Sequence, residues 1–123
     1  MGGPLRPEMV GVLIHTSEVG FPEMRRFYAE ILGLRPRSDR AGFVNFEWGR
    51  LRLTLHLHDR VRGAAADPDR VLLNFAVDDL ASWHLHLQAV GTPCLRTPAT
   101  EPWGGEVATY SDPDGNLLQL IQF

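Results

Sequence analysis

The sharpest pattern in the chain is Leu51–His58, where Leu51, Leu53, Leu55 and Leu57 alternate with Arg52, Thr54, His56 and His58. Successive side chains of a strand point to opposite faces, so a run with one leucine face and one polar face predicts a strand lying on a core. Phe43–Trp48 reads as its hairpin partner, turned at Gly49. Met9–Thr16 is short, apolar and rich in β-branched residues, which predicts a buried strand. Between these, Phe21, Met24, Phe27, Tyr28, Ile31 and Leu32 recur at helical spacing. They predict a helix over 21–32, with Pro22 tolerated in its first turn and Gly33 as its stop.

After a polar, Ala/Gly-rich loop from Asp59 to Arg70, the pattern restarts. Val71–Val77 reads as a strand, and Asp78 and Asp79 are cap candidates. Leu80–Val90 reads as a helix with Leu80, Trp83, Leu87 and Val90 inward, ended by Gly91. Thr92–Cys94 enter a short strand, and Ala99–Gly105 read as a Pro/Gly loop. Glu106–Ser111 and Leu117–Phe123 read as strands joined by the turn Asp112-Pro113-Asp114-Gly115. Each half is strand, helix, then two or three strands, and Ser17-Glu18-Val19 recurs 61 positions later as Asp78-Asp79-Leu80. The expected fold class is therefore α+β, built from an internal repeat. A tail at 1–8 precedes a single domain at 9–123: module one at 9–60, a loop at 61–70, module two at 71–123.

Composition narrows the function classes. With 44% hydrophobic and 22% charged residues, the chain reads as an ordinary globular protein of 123 residues, long enough for a real core. No apolar run approaches the roughly 20 residues that span a bilayer, so no membrane association is expected. Met1–Pro7 lacks the apolar stretch of a secretory signal. Cys94 is the lone cysteine, which excludes an intramolecular disulfide and a cysteine zinc cluster and fits a cytoplasmic location. All the basic residues are arginines, and they are scattered rather than gathered in a stripe, so no nucleic-acid partner is expected. The absence of lysine points to a GC-rich bacterial genome.

Three segments then carry a resemblance. Val12-Leu13-Ile14-His15-Thr16-Ser17-Glu18-Val19, followed by Phe27-Tyr28-Ala29-Glu30-Ile31-Leu32-Gly33-Leu34, is similar to the opening of a vicinal-oxygen-chelate (VOC) module. Leu73-Asn74-Phe75-Ala76-Val77-Asp78-Asp79-Leu80 resembles the opening of the second module. Pro102-Trp103-Gly104 with Asp112-Pro113-Asp114-Gly115-Asn116-Leu117-Leu118-Gln119-Leu120 resembles its close. The resemblance, to the glyoxalase, bleomycin-resistance protein and extradiol dioxygenase family, runs from Met9 to Phe123. It implies two βαβββ modules whose sheets curl around a central pocket with the helices outside, and a homodimer. Catalytic members hold a divalent metal on four pocket-facing positions, and carrying these over gives Gly11, Thr54, Leu72 and Gln119; a two-residue shift would put His56 in place of Thr54. Glycine and leucine offer no donor atom, and the two neutral oxygens are too few to hold a transition metal. No metal or other cofactor is thus expected at the usual positions.

Strand parity names the pocket face independently. Opposite the leucines stand Arg52, Thr54, His56 and His58; Gly11, Leu13 and His15 share a face, as do Leu72, Asn74 and Ala76, and Leu117, Gln119 and Ile121. The expected ligand-binding residues are His15, Thr54, His56, His58, Asn74, Gln119 and the loop tryptophan Trp103, among apolar Leu13, Leu72 and Ile121. His15, His56 and His58 form an alternative divalent-metal site, or else bind ligand by hydrogen bonds or sit solvated at the pocket mouth. His15 or His56 is the candidate general base, histidine being suited to proton transfer near neutral pH. Trp48 and Asn45 are further ligand candidates, and Glu47 and Glu106 are the pocket carboxylate candidates. Trp83 and Cys94 read as packing residues; His84 brushes the core and His86 faces water.

The leading expectation is a metal-independent binding protein that sequesters a small aromatic or hydrophobic metabolite or antibiotic. The alternatives are a divalent-metal lyase, isomerase or dioxygenase with rearranged ligands, and a regulatory domain with a vestigial pocket.

Overall fold

Two four-stranded mixed sheets carry the fold, one from each half of the chain. The structure, a computed structural model, describes residues 5–123; of the tail expected at 1–8, residues 1–4 lie outside the described residues, and 5–10 are exposed. In the first sheet the order is β1 (Gly11–Thr16), β4 (Leu51–Leu57), β3 (Phe43–Trp48), β2 (Ser38–Arg40). In the second it is β5 (Leu72–Ala76), β8 (Leu117–Gln122), β7 (Glu106–Ser111), β6 (Cys94–Thr100). β1 runs parallel to β4 and β5 parallel to β8, and the remaining pairs are antiparallel. Each parallel pair needs a crossover, which the helices supply. Each half is therefore a βαβββ module, and the fold is α+β.

In the first crossover, α1 (Phe21–Arg25) continues as a π-helical turn over Arg26–Ile31, so the expected 21–32 helix is not uniformly α. The Leu32 N–H reaches the Phe27 carbonyl at 2.8 Å, one residue further back than an α-helix allows. The wider turn lets the consecutive Phe27 and Tyr28 both enter the core, their rings edge to face at 5.1 Å. In the second crossover, α2 (Leu80–Ala89) starts on Asp79, whose carboxylate accepts the Ser82 N–H. That contact holds the Asp79 carboxyl below its ordinary range, with the Ser82 hydroxyl the largest contributor.

Two elements differ from expectation. β2 has no apolar periodicity and is fixed instead by polar contacts: Arg37 N–H to the Asn45 carbonyl and Ser38 N–H to Asn45 Oδ1. β6 runs through Pro98 to Thr100, where a loop was expected from Ala99. It is an edge strand with register shifts on both sides of Arg96, the setting in which a strand tolerates proline. Cys94, expected as buried filler, is exposed there.

One core joins the modules. Met24, Tyr28, Leu55, Leu80, Leu87 and Leu118 are fully buried within it, each contributing about 1.5–3 kcal/mol of burial. Polar bonds also cross between halves: Tyr28 Oη donates to Asp112 Oδ2 at 2.7 Å, and Thr16 Oγ1 to Asp114 Oδ2 at 2.6 Å. His86, expected to face only water, places Nε2 2.9 Å from the Ile31 carbonyl and so ties α2 to the end of the first helix. No helix among the described residues is long and apolar enough to cross a membrane.

Candidate functional site

The helices cover one face of each sheet and leave the other open. Leu53, Leu55, Leu118 and Leu120 are in the core, while Leu13, His15, His56, Leu72 and Asn74 are exposed. Register arranges the open face of the first sheet in rows. Arg52 stands between Gly11 and Glu47, Thr54 between Leu13 and Asn45, and His56 between His15 and Phe43. In the second sheet Gln119 stands between Asn74 and Thr109. Thr54 and Gln119 thus hold equivalent places: each follows by two residues the partner of the strand-opening Gly11 or Leu72.

Where the two sheets meet there is a cavity of about 420 Å³. Trp48 and Leu51, at the β3–β4 turn, form one end. Val12 and Leu53 wall it from the first module, and Leu72, Leu73 and Phe75 from the second. The Trp48 and Phe75 rings lie 5.9 Å apart at 56° across this seam. Arg52 and Asn74 bring the polar groups. A mostly apolar cleft with a few polar groups, within the size range of small-molecule sites, is suited to a planar apolar ligand.

The residues named from sequence divide among three places. Asn74 and Leu72 line the seam. His15, His56 and His58 gather at the far end of β1 and β4, with ring centroids 4.6 Å apart for His15–His58 and 5.9 Å for His15–His56. Phe43 meets His56 edge-on at 5.6 Å. His15 borders one cleft beneath the 61–66 loop, and His58 another beside it. His58 Nδ1 accepts the Arg60 N–H at 3.1 Å, and among the described residues no three His, Cys, Asp or Glu side chains converge as metal ligands. Trp103 lies elsewhere, folded over Gly105 with its ring 5.8 Å from that of Phe123. Thr54 and Gln119 are half-buried and do not line the seam. Asn45 is buried and bonded to Ser38 N–H.

Of the carboxylate candidates, Glu47 is on the open face, with Oε2 3.0 Å from Arg37 Nε and 3.5 Å from Arg52 Nε. Glu106 pairs with Gln122, whose Oε1 accepts the Leu80 N–H, so it belongs to the helix side. Sequence reasoning missed Arg52 and Phe75 as cavity residues. His84 Nδ1 shares a 2.7 Å hydrogen bond with the Tyr110 hydroxyl, whose pKa burial raises to about 12, so that phenol stays protonated.

The four positions that the resemblance implies for a metal do not fit a cation here. Beyond the missing donors, a Cβ placed on Gly11 would overlap the Arg52 carbonyl, so the β4 backbone occupies the place a ligand side chain would need.

Comparison with known proteins agrees with this architecture. The sequence model of the Glyoxalase/Bleomycin resistance protein/Dioxygenase superfamily matches residues 20–120. A bleomycin resistance protein from Klebsiella pneumoniae is 40% identical over 53 residues; the match spans 37% of this chain and 42% of that protein, under half of its length. Among solved structures, a protein of unknown function from Agrobacterium tumefaciens str. C58 superposes with TM-score 0.78 at 21% identity, covering 97% of this chain and 96% of that one. A lactoylglutathione lyase from Agrobacterium tumefaciens gives 0.70 at 20% identity, covering 98% and 96%. A glyoxalase-related enzyme from Fulvimarina pelagi gives 0.73 at 18% identity, covering 94% and 88%. At these identities the structural likeness speaks for the fold.

Proposed function

This chain belongs to the Glyoxalase/Bleomycin resistance protein/Dioxygenase superfamily, and from that premise we propose that it is a binding protein which captures a small planar, apolar molecule in the seam between its sheets without using the family's metal. The observation that carries this reading is the apolar cavity between the sheets, with the Trp48 and Phe75 rings 5.9 Å apart in its lining. Capture works by removing apolar ligand surface from water, at about 25 cal/mol per Å² before the cost of association, with ring stacking adding roughly 0.5–1.5 kcal/mol. The partial likeness to a bleomycin resistance protein supports sequestration of an antibiotic or metabolite.

The test is a fluorescence titration with N-phenyl-1-naphthylamine, a neutral aromatic probe. Saturable one-site binding is expected, with quenching of tryptophan emission, and Trp48→Ala should weaken it about tenfold. Binding untouched by Trp48→Ala would place the ligand elsewhere.

A second reading, a divalent-metal enzyme, has one supporting observation: the three imidazoles His15, His56 and His58 share one corner of the open face. It requires His58 to give up its bond from the Arg60 N–H. Untagged protein incubated with Zn²⁺ and then desalted should retain no stoichiometric metal; one equivalent, lost on His15→Ala, would favour the enzyme over the binding protein.

We further propose a homodimer. Leu13 and Leu72 are exposed on the open faces, and β1 and β5 each have one edge without a strand partner among the described residues. Light scattering on an eluting peak should give twice the 13.8 kDa chain mass.

A further inference from the structure

Building on the seam as the binding site, we propose that Arg52 makes it selective for planar apolar molecules that carry an anionic group such as a carboxylate or sulfonate. Among the residues lining the cavity, Arg52 is the one with a formal charge. It sits on β4 between Gly11, which carries no side chain, and Glu47. Glu47 does not neutralise it. That carboxylate is shared with Arg37, which holds it more closely, at 3.0 Å against 3.5 Å. With two guanidinium groups sharing that one carboxylate, the Arg52 charge is only partly offset.

The surroundings turn that charge into selectivity. Val12, Leu53, Leu72 and Phe75 keep water from the ligand's body, so a neutral molecule gains burial alone. A molecule whose anionic end reaches the guanidinium fork gains charge-assisted hydrogen bonds as well. Asn74, across the seam on β5, can donate to the same group. Because Arg52 is about half exposed, the gain is that of a partly solvated pair.

The experiment compares 1-anilinonaphthalene-8-sulfonate with N-phenyl-1-naphthylamine, which share a ring skeleton and differ by the sulfonate. Wild-type protein should bind the sulfonate about fivefold to tenfold more tightly, an advantage that shrinks as NaCl is added. Arg52→Gln should abolish the advantage, weakening the sulfonate about fivefold to tenfold more than it weakens the neutral dye, Arg52→Lys should keep part of it, and Glu47→Gln should enlarge it. Equal affinities in wild type, or an Arg52→Gln variant that still prefers the sulfonate, would overturn the assignment while leaving the cavity intact as a binding site. Loss of both dyes equally in Arg52→Gln would reassign Arg52 to a structural role. If neither dye binds wild type, the cavity reading fails and the anion selectivity falls with it.

Discussion

Replacing Asp112 with alanine is expected to lower the free energy of unfolding, measured in urea, by about 3–4 kcal/mol. Asp112 is 2% exposed and closes the turn between β7 and β8. Its Oδ1 accepts the backbone N–H groups of Asp114 and Asn116, each at 2.9 Å. Its Oδ2 accepts the Tyr28 hydroxyl at 2.7 Å and the Asn116 amide at 3.1 Å. Alanine removes every one of these acceptors and leaves the fully buried Tyr28 hydroxyl without a partner, which alone costs about 1–3 kcal/mol. Tyr28→Phe, which deletes the donor as well as its need, should cost only about 1–2 kcal/mol. The double variant should then lose clearly less than the sum of the two, and strict additivity would show that the bond does not couple the modules.

The same carboxyl has a pH signature. Burial pushes its pKa above the ordinary 3.8, while the bonds from Tyr28, Asn116 and the turn backbone pull it part of the way back. A value raised in the fold means that the native state holds the proton more tightly than the unfolded chain. The contribution is therefore fully present below 3.8 and lost as pH rises through the folded value. Asp112→Asn does not titrate, so the stability of wild type relative to that variant should fall with rising pH over this window. A relative stability that climbs instead would show that the hydrogen bonds outweigh burial.

What the sequence disclosed follows from where each residue finds its partners. The alternation over Leu51–Leu57 was legible because one face meets the core and the other does not, and parity placed Val12, Leu53, Leu73 and Phe75 on the helix side. Parity put His15 and His56 on one face, and the β1–β4 register makes them direct partners. β2 was not legible: three polar residues, Ser38–Arg40, have no apolar rhythm, and each is held by a partner outside the strand, Ser38 by Asn45, Asp39 by Arg25 and Arg40 by the Phe43 ring. The seam was hidden for a different reason. It lies between the two sheets and draws on both faces at once, Arg52 and Asn74 from the open side, Leu53 and Phe75 from the core side. Parity assigns each residue to one face or the other and is blind to a space opened by a gap between sheets. Trp103 shows the limit of reading a motif: its ring occupies the space that a side chain at Gly105 would need.

Gly11→Ala should cost about 3 kcal/mol, the upper end for inserting a methyl group into a packed interior, although the position is only half-buried and the replacement is the smallest available. The obstruction is backbone. The new Cβ would overlap the Arg52 carbonyl oxygen and stand 3.0 Å from its carbon and 3.2 Å from its nitrogen. A side chain could swing away, but β4 is held on both sides, by β1 and by β3, and the Arg52 N–H is bonded to the Val10 carbonyl at 2.9 Å. Relief requires β1 to peel from β4 at its first residue pair. Gly11→His, which puts an imidazole at this position, should therefore destabilise more than alanine. Combined with Leu72→His and Gln119→Glu, it should still show no rise in melting temperature when Zn²⁺ is added, because the strand separation that admits the imidazole also displaces it from the other two positions. A Gly11→Ala variant within about 0.5 kcal/mol of wild type would mean that β1 can slide outward freely, and the closed approach of β1 to β4 would no longer explain why a ligand side chain has no room there.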